Sequence, residues 1–146
     1  MSVPLASPPL LKIGELQAQS GVPVKTLRYY ETRGLLPAAG RTVGGFRLFH
    51  PQTLTRLAFI RRSQRLGLSL QDIGELLALH DQGQPPCTEV RQKFRAKVEA
   101  IDQQIAELQH LRAQLLALAA APVAEAGQDI ICPIIQAPEP PETALS

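Results

Sequence analysis

Residues 88–121 contain neither Gly nor Pro, and their apolar positions repeat every seven residues. One row is Phe94, Ile101, Leu108 and Leu115; a second is Val98 and Ile105, continued by Arg112 and Ala119. Rows offset in this way form the a and d seam of a coiled coil, here with one polar break at Arg112. At ~1.5 Å of rise per residue the helix is about 50 Å long. The rest of this 146-residue chain offers no apolar stripe long enough to cover such a seam. The seam calls for the same helix of a second copy, so a homodimer is expected, with Arg112 setting register. Pro122 ends the helix, because its ring removes a donor and blocks the preceding turn.

Residues 13–49 read IGELQAQSGVPVKTLRYYETRGLLPAAGRTVGGFRLF. A short helix carrying Ile13 and Leu16 meets a turn at Ser20, Gly21 and Val22. A second helix carries Lys25, Arg28 and Tyr30. Two helices joined by a short Gly-containing turn are the sequence form of a helix-turn-helix, whose second helix lies in the major groove. Gly44 and Gly45, flanked by Arg41 and Arg47, suit a tight two-residue hairpin with positive φ at both central residues. That hairpin would stand beside the second helix as a wing.

Charge is divided along the chain. Residues 1–66 hold ten Lys/Arg and two acids, a net +8, while residues 67–146 hold five Lys/Arg and eleven acids, a net −6. The basic half coincides with the helix-turn-helix, as expected of a nucleic-acid binder. No apolar run of 18 residues occurs, so no transmembrane helix is expected. The first twelve residues lack the basic start and apolar core of a signal peptide, and a cytoplasmic location is expected. No nucleophile–base pairing or phosphate-cradling Gly loop points to an enzyme.

Between wing and long helix, His50-Pro51 reads as a helix start with Pro at the first helical position. Leu54, Leu57 and Ile60 give that helix its apolar face, Arg56 and Arg62 point away from it, and Gly67 ends it. Ser69 with Asp72 three residues on resembles a capping box, opening a helix through Ile73, Leu76 and Leu77. The stretch from Asp81 to Pro86 is a linker by composition. The fold class is mainly α.

The chain resembles the MerR family of bacterial transcription regulators, in its metal-sensing branch, from about Leu11 to Ile135. Thr26-Leu27-Arg28-Tyr29-Tyr30-Glu31 followed by Gly34-Leu35-Leu36 matches the family's recognition-helix signature. Gly45-Phe46-Arg47-Leu48-Phe49 matches its wing, with Phe at two Tyr positions. Residues 59–70 resemble the helix pair that follows. Composition marks a loose N-terminal arm (1–11), a linker (81–87) and a disordered tail (137–146). Between them the resemblance implies a winged helix-turn-helix domain (12–80), a dimerisation helix in an antiparallel coiled coil (88–121) and a short metal-binding effector loop (122–136).

It further implies that Lys25, Arg28 and Tyr30 face DNA from the recognition helix. Arg41, Phe46 and Arg47 would do so from the wing. Arginine forks suit guanine edges and phosphate oxygens. Tyr29 is expected in the core, and Glu31 is expected to pair with a nearby cation. Pro23 stands where the family often has Ser or Thr as helix cap, so ~1 kcal/mol of capping is expected to be missing. Family members bind promoters whose elements are spaced too far apart. The effector-bound dimer bends and untwists the duplex for RNA polymerase, a case of indirect readout.

The two cysteines gain a role by the same resemblance. Cys87 lies just before the long helix, where divalent-metal sensors of the family carry Cys. Cys132, in Cys-Pro-Ile-Ile, matches the last ligand of the metal-binding loop, and its Pro133 reads as a helix start. Thiolates select thiophilic metals of the Zn, Pb or Hg class. Where metal sensors usually carry a further Cys, this chain has Ala121-Pro122. Two thiols fall short of a closed four-ligand zinc site. Cys87 of one chain could meet Cys132 of the other, with His80, Asp81, Asp129 or water completing the set. A thiol redox sensor, a regulator answering an organic ligand and an architectural DNA-binding protein without effector remain as alternatives.

Overall fold

The computed structural model describes residues 8–123, 125 and 127–138. The elements are β1 (Leu11–Lys12), α1 (Ile13–Ser20), α2 (Val24–Thr32), β2 (Gly40–Arg41), β3 (Arg47–Phe49), α3 (Thr53–Arg65), α4 (Leu70–Asp81) and α5 (Cys87–Ala120). The fold is mainly helical. No described helix is long and apolar enough to cross a membrane. The chain divides into two compact units, Met1–Lys97 and Val98–Ser146.

In the first unit, α1 to α4 close on one core. Leu16, Leu27, Leu36, Phe49, Leu57, Ile60, Ile73 and Leu76 are almost fully enclosed. The periodicity of α3 delivers Leu57 and Ile60 to this core, with Leu54 half-buried at its edge. The helix starts later than its Pro51 signal. Thr53 N–H donates to His50 O and Leu54 N–H to Pro51 O, so Pro51 and Gln52 form a turn ahead of α3. The first turns of α5 also belong here. Val90 and Phe94 pack against the core, so Phe94, read as the first residue of the seam, is spent within this unit.

A three-stranded antiparallel sheet in the order β1-β3-β2 frames the wing. Leu11 pairs with Phe49 and Lys12 with Leu48; Gly40 pairs with Leu48 and Arg41 with Arg47. The expected loose arm thus ends sooner than read, because Leu11 and Lys12 bond to β3. Residues 1–7 of that arm lie outside the described residues. A strand of two residues carries no alternation from which it could be recognised.

Helix ends follow local chemistry. Gly34 takes φ 77°, which lets its N–H reach Glu31 O while Leu35 N–H reaches Tyr30 O. That is a Schellman closure, and its hydrophobic C″ residue, Leu35, is buried. Ser69 Oγ accepts from Asp72 N–H at 3.0 Å and Asp72 Oδ2 accepts from Ser69 N–H at 3.1 Å, a reciprocal capping box at the start of α4. Pro23 supplies no side-chain cap to α2. Gln17 of α1 fills the role, its Oε1 accepting from Val24 N–H at 2.8 Å. The expected capping deficit is thereby offset from the neighbouring helix.

In the second unit, the remainder of α5 carries an exposed apolar row. Val98, Ile101, Ile105, Leu108 and Leu115 are each about half exposed or more. Beyond the helix, Pro133 to Gln136 form a single turn rather than a helix. Gln136 N–H donates to Cys132 O, and the Gln136 side chain folds back to accept from the Ile131 and Cys132 N–H groups at 2.6 and 2.8 Å. Of the expected disordered tail, 137–146, residues 139–146 lie outside the described residues.

Candidate nucleic-acid interface and thiol positions

The helix-turn-helix is set by the sharp bend at Gly21, whose φ is 75°. Ser20 Oγ accepts from Val22 N–H at 3.1 Å, and buried Val22 anchors the turn. From this bend α2 presents Lys25 and Arg28 to solvent. Both can reach a ligand without breaking any described intramolecular bond.

The two tyrosines are placed opposite to the sequence reading. Tyr30, expected to face DNA, is 3% exposed, whereas Tyr29, expected in the core, is 47% exposed. Helical phase explains the exchange, because Tyr30 lies three residues after buried Leu27 on one face. The Tyr30 hydroxyl donates to Gln64 Oε1 on α3 at 2.7 Å, so the buried phenol has a partner. Tyr29 instead receives Arg33, whose guanidinium sits 5.3 Å from the ring centroid and donates to the Tyr29 hydroxyl at 3.1 Å.

The wing is a longer loop than a two-residue hairpin. Thr42 N–H donates to Phe46 O at 2.7 Å and Gly45 N–H to Thr42 O at 2.9 Å. Three residues, Val43 to Gly45, therefore cross the tip, and only Gly45 has positive φ, at 84°. This is the three-residue connection that ends in a left-handed residue. The Thr42 hydroxyl also accepts from Phe46 N–H at 3.1 Å, which stiffens the tip. Phe46 is 71% exposed, and Arg41 and Arg47 are exposed as well.

Between α1, α2 and the wing lies a crevice of about 630 Å³, lined by Lys12, Glu15, Arg28, Glu31, Phe46 and Arg47 among others. Arg47 forms an ion pair with Glu31 across it. The expected cationic partner of Glu31 is thus the wing arginine itself.

Arg56, read as pointing away from the apolar face, is drawn inward. Its Nε donates to Leu35 O at 2.5 Å, and its two terminal nitrogens donate to Asp81 at 2.6 and 3.0 Å. The Arg56 guanidinium holds the Asp81 carboxyl below its ordinary value. Lys93 of α5 reaches Asp72 and Glu75 of α4 at 3.2 and 2.6 Å. These contacts fasten the start of α5 to α4.

Cys87 is the first residue of α5 and is exposed; Cys132 lies in the turn after the helix and is half-buried; both are unpaired thiols. His50, His80 and His110 are exposed. Asp81 is engaged by Arg56, and Asp129 is exposed. Among the described residues no three His, Cys, Asp or Glu side chains gather into a metal-holding group.

Two family models match the chain: a MerR helix-turn-helix regulatory protein over residues 11–79 and a MerR DNA-binding region over residues 54–118. The chain is 36% identical over 131 residues to the Escherichia coli (strain K12) regulator ZntR, covering 89% of this chain and 93% of that one. It is 38% identical over 107 residues to a mercuric resistance operon regulatory protein of Bacillus cereus, covering 73% and 81%. The lead(II) complex of PbrR691 from Ralstonia metallidurans CH34 superposes with TM-score 0.69 at 34% identity, covering 86% and 96%. HiNmlR, a regulator lacking the sensor domain and bound to promoter DNA, superposes at 0.51 with 28% identity, covering 76% and 90%. With its bent helix pair, basic second helix, wing and long following helix, this chain belongs to the MerR family of DNA-binding transcriptional regulators.

Proposed function

We propose that the chain acts as a homodimeric activator that distorts promoter DNA for RNA polymerase when a thiophilic divalent ion binds, of the Zn, Pb or Hg class. Lys25 and Arg28 read the duplex from α2, while Arg41, Phe46 and Arg47 hold its backbone from the wing. Tyr30 takes no part, since its ring is enclosed. The exposed row on α5 is covered by a second copy. Fully burying one such side chain stabilises by about 1.5–3 kcal/mol, so several half-exposed Ile and Leu residues favour pairing.

Cys87 and Cys132 are the proposed ligands. The observation that carries this reading is that both thiols are unpaired and flank the dimerisation segment, one opening α5 and one in the turn beyond it. Two thiolates suit a soft two-coordinate ion. A closed tetrahedral zinc site needs four donors, and no third donor joins either thiol among the described residues. A shared site between two protomers supplies the second sulfur, with water or a carboxylate completing the set. The likeness to a lead(II)-bound regulator supports the same choice. When bound, the ion supplies a fixed link between thiols. The chain's own part is to carry that link to the DNA-reading unit through Val90, Lys93 and Phe94 at the start of α5.

Calorimetric titration of the reduced protein with Hg(II), Pb(II) and Zn(II) tests the assignment. Tight binding by the wild type, lost in both Cys87→Ser and Cys132→Ser, is the expected result. Equal binding in all three proteins sinks the metal reading. The exposure of Cys87 also favours a thiol redox sensor as second reading, and transcription responsive to diamide but indifferent to every metal would establish it.

A further inference from the structure

We infer that Glu31 is a specificity-determining residue that acts by positioning Arg47. This rests on the reading that the wing arginine meets DNA. Glu31 stands on α2 and Arg47 on β3, so their ion pair joins recognition helix and wing across the crevice between them. The partners are unequal in exposure. The Glu31 side chain is 11% exposed and the Arg47 side chain 46%. The second carboxylate oxygen of Glu31 is buried with no donor among the described residues.

Those facts dictate what the pair can do. A buried carboxylate with one counter-charge cannot release it cheaply, because the alternative is an uncompensated charge. Arg47 is therefore held in one place. A guanidinium carries five N–H donors, and Glu31 engages one of its nitrogens. The outward donors remain for a phosphate, in a geometry fixed relative to Lys25 and Arg28. Glu31 also cancels the charge of Arg47 toward any duplex that does not fit. Arg47 thus contributes fully only where the phosphate lies in register with the recognition helix. Freed from Glu31, the same arginine would follow any phosphate nearby.

The test compares wild type, Glu31→Gln, Arg47→Gln and the double variant, all as full-length protein. Each is titrated across a salt series with two duplexes: the chain's own upstream promoter and a scrambled duplex of equal length and composition. Glu31→Gln is expected to bind the scrambled duplex several-fold more tightly at low salt. Its log K against log salt should steepen by about one unit, the signature of one more neutralised phosphate. Discrimination between the duplexes should fall about tenfold. In the double variant, binding to the scrambled duplex should fall back to the level of Arg47→Gln, since no arginine remains to be freed. Thermal unfolding of each variant confirms that the proteins compared are folded. Equal gains on both duplexes, or no change in slope and discrimination, overturn the inference. If Arg47→Gln leaves promoter affinity unchanged, the wing reading itself fails, a result distinct from the failure of Glu31 alone.

Discussion

Arg56 and Asp81 face each other as a fork on a carboxylate, with bonds of 2.6 and 3.0 Å, while the Arg56 Nε holds the carbonyl of Leu35. One side chain thereby ties α3 to the loop after the recognition helix and to the last residue of α4. The two halves of this contact differ in weight. The Asp81 side chain is 49% exposed, so solvent screens the ion pair to about 0.2–1 kcal/mol. The Arg56 side chain is only 13% exposed, and its removal leaves Leu35 O without its donor.

Arg56→Ala is accordingly expected to cost about 1–3 kcal/mol, and Asp81→Asn less than ~1 kcal/mol. Urea unfolding of both variants checks the order. A larger loss from Asp81→Asn would mean that the ion pair, and not the carbonyl bond, carries the contact.

Tyr30→Phe removes the hydroxyl that Gln64 accepts. A loss of about 0.5–1.5 kcal/mol in stability is expected, with promoter affinity unchanged at a temperature where both proteins are folded. Reduced affinity in a fully folded variant would return Tyr30 to the DNA-facing set.

Gln17→Ala removes the only described side-chain acceptor at the start of α2. A cost of about 1 kcal/mol is expected from the lost cap, read as a lower urea midpoint at unchanged slope. No change would show that water serves Val24 N–H equally well.

What the sequence disclosed and what it withheld divide along range. The Ser69–Asp72 box and the Gly67 stop are written within a few neighbouring residues, and a linear reading finds them. The Gln17 cap spans seven residues and two helices, so nothing local marks it. Arg56 looked like a solvent cation because its partner lies 25 positions away at Asp81. The tyrosines were within reach: Leu27 and Tyr30 share a helix face at a spacing of three, and that phase was legible. Phe94 kept perfect heptad spacing and still went to the core, because α5 serves the DNA-reading unit before it serves any partner. The pairing of Glu31 with Arg47 needed the wing folded against α2.

Stability should fall off at both ends of the pH scale. The Ser69 backbone N–H, foremost, and then the Ser69 hydroxyl and Lys93 hold Asp72 below its ordinary value of 3.8. Arg56 does the same to Asp81. A carboxylate with a depressed folded pKa stabilises above its unfolded value, and that contribution is lost as pH falls through the folded one. Lys93 is raised above 10.5, chiefly by Glu75 and then Asp72. Its contribution is full below 10.5 and is lost as pH rises through the higher folded value. Chemical denaturation from pH 2 to 11, on the order of these limits, should show a plateau with both flanks. Lys93→Met should flatten the alkaline one; an unchanged alkaline flank would remove Lys93 from the account.

Ion capture by two thiols is the proposed control on the action of this regulator on DNA. Single-round transcription from the chain's own upstream promoter, with reduced protein and a metal panel, measures it directly. Activation by a thiophilic divalent ion is expected in the wild type, and promoter binding without activation in Cys87→Ser and Cys132→Ser. Activation of both serine variants to the wild-type level, or indifference of the wild type to every metal, would contradict it.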